Sequence, residues 1–176
     1  MDYFLHSARL GFRCWQPADL PLALSLWGAP RVSAKIGRQL TPQQIESRLS
    51  CEIAQMSASG MQYWPIFLLD GGEFTGCAGL RPKYGRTFEL GYHLLPAHWG
   101  KGLATEAARA VIGYAFATLA AEAIFAGHHP ENAASRHILL KLGFEPDGEE
   151  FYEPSGLIEP VYLLPRPDNL MLNAMS

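Results

Sequence analysis

The chain has 176 residues, 48 % hydrophobic and 18 % charged, with 14 Lys and Arg against 17 Asp and Glu for a formal net charge of −3. That length and apolar content suit one compact domain and argue against disorder as the main state. The slight acidic excess excludes a nucleic-acid binder that works through a basic surface, while Cys14, Cys51 and Cys77 cannot all pair and show no zinc spacing, which points to a reducing cytoplasm.

The opening MDYFLHSARLGF has no basic stretch followed by an apolar run, so no signal peptide is expected. Leu10 to Trp15 reads as a strand. Gln16-Pro17-Ala18-Asp19 opens a helix to about Trp27, and Gly28-Ala29-Pro30 breaks it. Thr41-Pro42-Gln43-Gln44 is a capping box with Pro at the first helical position, and Ile45, Leu49, Ile53 and Met56 carry that helix to about Ser57. Gln62–Leu69, Glu73–Leu80 and Thr87–Leu95 follow as strands, separated by the turns Asp70-Gly71-Gly72 and Tyr84-Gly85-Arg86. They are close enough in sequence to form an antiparallel meander.

Gly102 to about Ala121 is the clearest helix, with an apolar face through Leu103, Ala107, Ala110, Val111, Tyr114 and Thr118. Its most apolar window, Ala110–Ala121, is twelve residues long, short of the roughly 18 a membrane span needs. Ala123–Gly127 is a short apolar strand, expected to be central. Asn132–Leu142 is a helix with Asn132 as cap and Gly143 as stop. Phe144–Glu153 and Leu157–Leu164 close the chain as a hairpin, and Pro165, Pro167 and the tail NLMLNAMS are expected outside the core. The sum is about seven strands and about four helices. The fold class is mixed α/β (α+β), a single domain over 1–176 with its core at about 8–166 and a 167–176 tail, built on a mostly antiparallel twisted sheet. Three strands in direct succession exclude a doubly wound parallel sheet.

The stretch that carries chemistry is ELGYHLLPAHWGKGLATEAARAVIGYAF, residues 89–116. A strand runs into a loop with Gly100 and Gly102, and the loop runs into a helix. The backbone amides from Gly100 to Thr105 stand at a helix start, where unpaired N–H groups and the helix dipole favour an anion. GKGLAT is not the GxxxxGK[ST] of a P-loop, and Gly100-Lys101-Gly102-Leu103-Ala104-Thr105 lacks the last glycine of GxGxxG. The next strand ends in Gly127-His128-His129 rather than in an acid, so a dinucleotide site is disfavoured.

Trp99-Gly100-Lys101-Gly102-Leu103-Ala104 resembles the [QR]xxGx[GA] acetyl-CoA motif of the GNAT superfamily of N-acetyltransferases, with Trp in place of Gln or Arg. Asn132 to Phe144, NAASRHILLKLGF, resembles a second motif of that family. The combination LGYxLxPxxWGKGLATEA is similar to the branch of ribosomal-protein alanine N-acetyltransferases. The resemblance covers about residues 8–166.

It implies acetyl-CoA as co-substrate, no metal, an amine acceptor (a protein N-terminus or a small molecule), no nucleic-acid or membrane partner, and a homodimer as an allowed assembly. By position it assigns the backbone of His93, Leu94 and Leu95 to the pantetheine arm, and the amides of Trp99, Gly100, Lys101, Gly102, Leu103 and Ala104 to the pyrophosphate, with Thr105 adding its hydroxyl. Asn132 is both a helix cap and a pantetheine ligand, while Lys101 and Arg136 either reach phosphate or are solvated. Relatives carry a Tyr acid further along this helix. Here Ile138, Leu139 and Leu140 occupy that region, which leaves Ser135 or a bound water to protonate the departing thiolate.

Amine acetylation needs a base. Glu89 is the candidate, sharing one strand face with Gly91 and His93, and His93 is its rival. A strand amide near His93 or Leu94 would meet the oxyanion. Tyr63, Trp64 and Tyr92 are expected as core or sheet-face residues. Trp27 and the segment 28–40 lie where the family builds its acceptor wall. The acids Glu145, Asp147, Glu149, Glu150 and Glu153 either attract a cationic amine or form a solvated turn. The alternative to an enzyme is a CoA-binding protein without turnover.

Overall fold

The computed structural model describes residues 2–167. The tail from Asp168 onward lies outside the described residues. Two short strands, β1 (Leu5–His6) and β2 (Leu10–Phe12), open the chain. A 3-10 turn at Pro17–Asp19 leads into α1 (Leu20–Trp27), then α2 (Pro30–Ile36) and α3 (Pro42–Ser59). The capping box that starts α3 is present in both directions: Gln44 N–H donates to Thr41 Oγ1 at 3.2 Å, and Thr41 N–H to Gln44 Oε1 at 2.9 Å. The expected meander follows as β3 (Tyr63–Leu68), β4 (Phe74–Tyr84) and β5 (Thr87–Leu94). Then come α4 (Leu103–Ala117), β6 (Ala123–Gly127), α5 (Ala133–Lys141), β7 (Glu145–Tyr152) and β8 (Leu157–Pro165).

Among the described residues, eight strands form one sheet in the order β1-β2-β3-β4-β5-β6-β8-β7. Every neighbouring pair is antiparallel except β5 and β6. The apolar strand 123–127 is interior, between β5 and β8, as its composition implies.

Two additions separate this from the sequence expectation. β1 is two residues long, too short for any periodic signal. α2 was hidden because Pro30 reads as a breaker; it sits instead at the helix start, where its missing N–H is no loss, after an extended Ala29. The helix 102–121 ends earlier, at Ala117.

The sheet separates two cores. On one face Leu80, Leu90 and Leu94 meet Leu103, Ala107 and Val111 of α4. On the other, Trp15, Trp27, Ile45 and Leu49 meet Tyr63 and Cys77 under α1–α3. Alternation along β5 therefore sends Glu89 and His93 to the α1–α3 face, and Leu90, Tyr92 and Leu94 to the α4 face.

Candidate active site

The site begins where the sheet opens. β5 and β6 pair only over Thr87–Glu89 and Ala123–Phe125. Beyond that they part, and a cleft of about 1270 Å³ runs through the gap. It reaches the start of α4 and α5 on one side and α2 and α3 on the other, so it crosses the sheet.

The strand edge facing the gap has a fixed parity. The Leu95 amide donates to the Thr75 carbonyl at 2.9 Å, toward β4. Amides alternate along a strand, so His93 N–H also points toward β4, while Leu94 N–H points into the gap. Of the three strand positions named for the pantetheine arm, only Leu94 offers its amide to the cleft, and Leu95 is absent from the lining. The Leu94 carbonyl accepts from the Trp99 indole at 2.8 Å, which folds the following loop against the strand.

That loop is a backbone cradle. Trp99 N–H closes a turn on the Pro96 carbonyl at 3.2 Å, so its amide is engaged. Gly100 and Gly102 have φ of +73° and +75°, conformations that favour glycine, and a Cβ at Gly100 would meet nothing within 4 Å. The first α4-side amide with a backbone acceptor is that of Glu106, donating to the Gly102 carbonyl at 3.1 Å. Leu103, Ala104 and Thr105 precede it, with N–H groups that no turn of the helix can satisfy. Gly100, Gly102, Leu103, Ala104 and Thr105 all line the cleft; Lys101 does not. Open space, unpaired amides and a helix N-terminus fit the phosphates of a CoA thioester.

Arg9 and Glu106 anchor the cradle, and sequence reasoning missed both. Arg9 Nε donates to Glu106 Oε2 at 2.7 Å, and its guanidinium reaches the Lys101 carbonyl at 3.2 Å. Ser7 Oγ and Arg9 N–H each donate to Glu106 Oε1 at 2.7 Å. Burial raises the Glu106 carboxyl, but these hydrogen bonds outweigh it and hold it below its ordinary range.

At the start of α5, Asn132 is the cap, its Oδ1 accepting Ser135 N–H at 3.2 Å. Asn132 and Ser135 line the cleft, whereas Arg136 is exposed and does not. Ser135 is buried, and its Oγ lies 2.8 Å from the Tyr92 hydroxyl. Burial pushes the Tyr92 phenol up to about 12, with the Ser135 contact opposing, so the phenol stays protonated. Tyr92 is thus more than a sheet-face residue, and nothing in its local sequence marks that pairing.

On the opposite face, Glu89 is half-buried in the cleft wall. Burial raises its pKa, while the charges of Arg81 and Lys83 pull it back and that of Glu150 adds to the rise. Arg81 is directly across the ladder from Glu89. Its guanidinium sits 4.2 Å from the centre of the Tyr63 ring and forms a hydrogen-bonded ion pair with the buried Glu52. Tyr63 lies across Gly91: a Cβ there would stand 2.3 Å from the phenol ring. His93 is driven well below its ordinary pKa by burial and by the Arg48 and Arg81 charges. Its Nδ1 accepts from the Trp27 indole at 3.4 Å, so a neutral His93 is held as a packing element.

Val32, Ile36 and Leu40 of the segment 28–40 line the cleft, whereas Trp27, named with them, does not. Trp64 is fully buried in the core. The acidic run lies on the exposed edge strand β7, and Glu150, the one member in the cleft lining, is paired to Lys83 at 2.7 Å. Glu159, which no motif flagged, is buried in the lining and accepts from Ser155 Oγ at 2.8 Å. Among the described residues no group of three or more His, Cys, Asp or Glu could hold a metal ion, and no helix is long and apolar enough to cross a membrane.

Known proteins share this architecture. The family model described as Acetyltransferase (GNAT) domain matches residues 9–145. The uncharacterized N-acetyltransferase p20 of Bacillus licheniformis is 28 % identical over 168 residues, 90 % of this chain and 93 % of p20. The uncharacterized N-acetyltransferase YoaA of Bacillus subtilis is 38 % identical over 88 residues, and this match spans about half of each protein, 48 % and 49 %. The spermidine N(1)-acetyltransferase of Escherichia coli K12 is 37 % identical over 68 residues, 39 % of this chain and 37 % of that one.

Among solved structures, an acetyltransferase from Agrobacterium tumefaciens superposes with a TM-score of 0.80 at 26 % identity, covering 94 % of this chain and 98 % of its own. The ribosomal-protein-S5-alanine acetyltransferase of Vibrio fischeri superposes at 0.75 with 17 % identity, covering 95 % and 98 %, a likeness of fold. The split sheet, the amide cradle at α4 and the matched span of 9–145 agree: the chain belongs to the GNAT acetyltransferase family.

Proposed function

We propose that the chain transfers an acetyl group from acetyl-CoA to a primary amine by direct attack in a ternary complex, with a protein N-terminus or similar peptide-like amine as acceptor. The observation that carries this is the single cleft joining the α4 cradle to the Glu89 wall through the β5/β6 gap. Acetyl-CoA supplies an activated thioester. The amides of Gly100 to Thr105 would hold its pyrophosphate, and Asn132 its pantetheine arm. Leu94 N–H is the donor placed to meet an oxyanion.

Glu89 takes a proton from the alkyl-ammonium, directly or through one water. The neutral amine attacks the thioester carbonyl. As the C–N bond forms and the C–S bond breaks, the nitrogen sheds its second proton through water, replacing the one Ser135 gives to the thiolate. Ser135, hydrogen-bonded to Tyr92, stands on the opposite face of the sheet to return a proton to the thiolate.

The acceptor rests on the likeness of residues 89–116 to the ribosomal-protein branch. The test is mass spectrometry of a peptide and small-amine library incubated with acetyl-CoA. The expected result is acetylation at peptide α-amines. Acetyl-CoA binding without acetylation of any member would overturn the proposal, and acetylation confined to small polyamines would overturn its acceptor.

A further inference from the structure

Arg48 stands on α3 in the cleft wall without an ion pair among the described residues. Its guanidinium lies 4.4 Å from the centre of the Trp27 ring, and its Nε is buried without a hydrogen-bond partner. The nearest counter-ion by helix spacing is Glu52, one turn on. Both oxygens of Glu52 are engaged: Oε1 holds Arg81, and Oε2 accepts Tyr63 N–H at 2.8 Å.

Of the other cleft carboxylates, only Glu150 is held by a cation among the described residues, accepting from Lys83 Nζ at 2.7 and 3.0 Å, whereas Glu159 accepts from a neutral hydroxyl, Ser155 Oγ. Glu89 faces the charges of Arg81 and Lys83. Lys35 and Arg38 add two more cations on the same wall, again without ion pairs among the described residues. The acceptor side of the cleft therefore carries three cations without ion pairs among the described residues, Arg48, Lys35 and Arg38, against two such carboxylates, Glu89 and Glu159, although the chain as a whole is acidic.

A guanidinium stacked on an indole is held in one plane, and its fork matches a carboxylate. Nε itself is sealed from the cleft, so the terminal nitrogens, which make no hydrogen bond among the described residues, are the part of the guanidinium that an acceptor anion can reach. We infer that Arg48 receives a carboxylate of the acceptor, so the acceptor is an amine that also carries an acid close to its amino group. This rests on the acetyl-transfer reading and narrows its substrate. It turns away from the idea that the acids at 145–153 recruit a polycation, since only Glu150 of them lines the cleft and it is paired to Lys83. The carboxylate can be the α-carboxylate of a free amino acid or an acidic side chain near a peptide N-terminus.

The test uses the full chain with five probes: Ala-Asp-Ala-Ala amide, Ala-Asn-Ala-Ala amide, alanine, alaninamide and a linear diamine. Initial rates and equilibrium binding are measured for wild type, Arg48→Gln and Arg48→Lys. The wild type should favour an acid over its neutral counterpart by about tenfold to a hundredfold in kcat/KM, as a charged hydrogen-bond pair requires. Which acid shows the preference, aspartyl peptide or alanine, names the source. Arg48→Gln should bring that ratio to about one with little change for the neutral probe, and Arg48→Lys should restore part of it.

No acid preference in the wild type, a preference for the diamine, or equal losses on acid and neutral probes in Arg48→Gln would overturn the inference; the last would mean that Arg48 only braces Trp27. If no probe is acetylated, the transfer reading fails by itself, and binding still decides Arg48. Acid-selective binding lost in Arg48→Gln supports the inference, and binding indifferent to the acid overturns it.

Discussion

The two faces of the sheet solve different problems with different materials. On the α4 face the ligand-facing groups are largely backbone: the Leu94 amide, the loop from Gly100 and the first N–H groups of the helix. On the α1–α3 face they are side chains, Arg48, Arg81 and Glu89, backed by the buried Glu52 and by the rings of Trp27 and Tyr63. A backbone cradle needs one short contiguous stretch with glycine where φ is positive. A side-chain constellation is assembled from α1, α3, β3, β4 and β5, so its parts can change independently. One face can keep a single ligand while the other is free to change acceptor.

The largest effect expected from breaking this contrast is on the side-chain face. Glu52 is 1 % exposed and neutralises Arg81, so Glu52→Gln should lower unfolding free energy by about 2–4 kcal/mol, as loss of one partner of a buried pair does. Chemical denaturation would show it as a lower midpoint. An unchanged midpoint would mean that Arg81 finds another partner at no cost.

Next is the backbone face. Gly102→Val places a branched residue at φ +75°, so the free loop should relax away from that conformation and binding must restore it against about 1–3 kcal/mol of strain, roughly fivefold to a hundredfold weaker acetyl-CoA binding. Calorimetry would measure it, and wild-type affinity would contradict the cradle assignment. Smaller still is Tyr92→Phe. It removes one hydrogen bond to Ser135, so kcat should fall by about tenfold or less with acetyl-CoA affinity unchanged. A change in affinity alone would place Tyr92 in binding rather than in proton return. Smallest is Lys101→Ala. The side chain is exposed and outside the cleft lining, so affinity should stay within about twofold.

The same contrast explains what the sequence made legible. The α3 capping box, the meander and the α4 cradle are local patterns, and each stands at its expected place within a few residues. α2 was hidden because Pro30 serves equally as a stop and a start. Of the cleft lining, Gly100, Gly102 to Thr105 and the cap Asn132 were legible in local motifs, while the engaged Trp99 amide and the outlying Lys101 were not. Finer detail was not legible either, because it depends on strand parity. Whether His93, Leu94 or Leu95 offers its amide to the gap is decided by Leu95 bonding to Thr75. Tyr92 with Ser135 is separated by 43 positions, Arg81 with Glu52 by 29 and Arg9 with Glu106 by 97. No spacing rule joins such pairs.

The most direct test of a side-chain face that does the proton chemistry and a backbone face that holds the cofactor is the pH profile of kcat/KM for wild type and Glu89→Gln, with acetyl-CoA affinity measured beside it. Burial raises the Glu89 pKa, so the carboxylate forms, and the rate climbs, at a pH above the ordinary range of a glutamate. In Glu89→Gln that limb should vanish and the rate should fall by about a hundredfold or more, while acetyl-CoA affinity stays that of the wild type. An unchanged rate at every pH would contradict the assignment of the base, and a rate loss matched by lost acetyl-CoA affinity would contradict the division between the two faces.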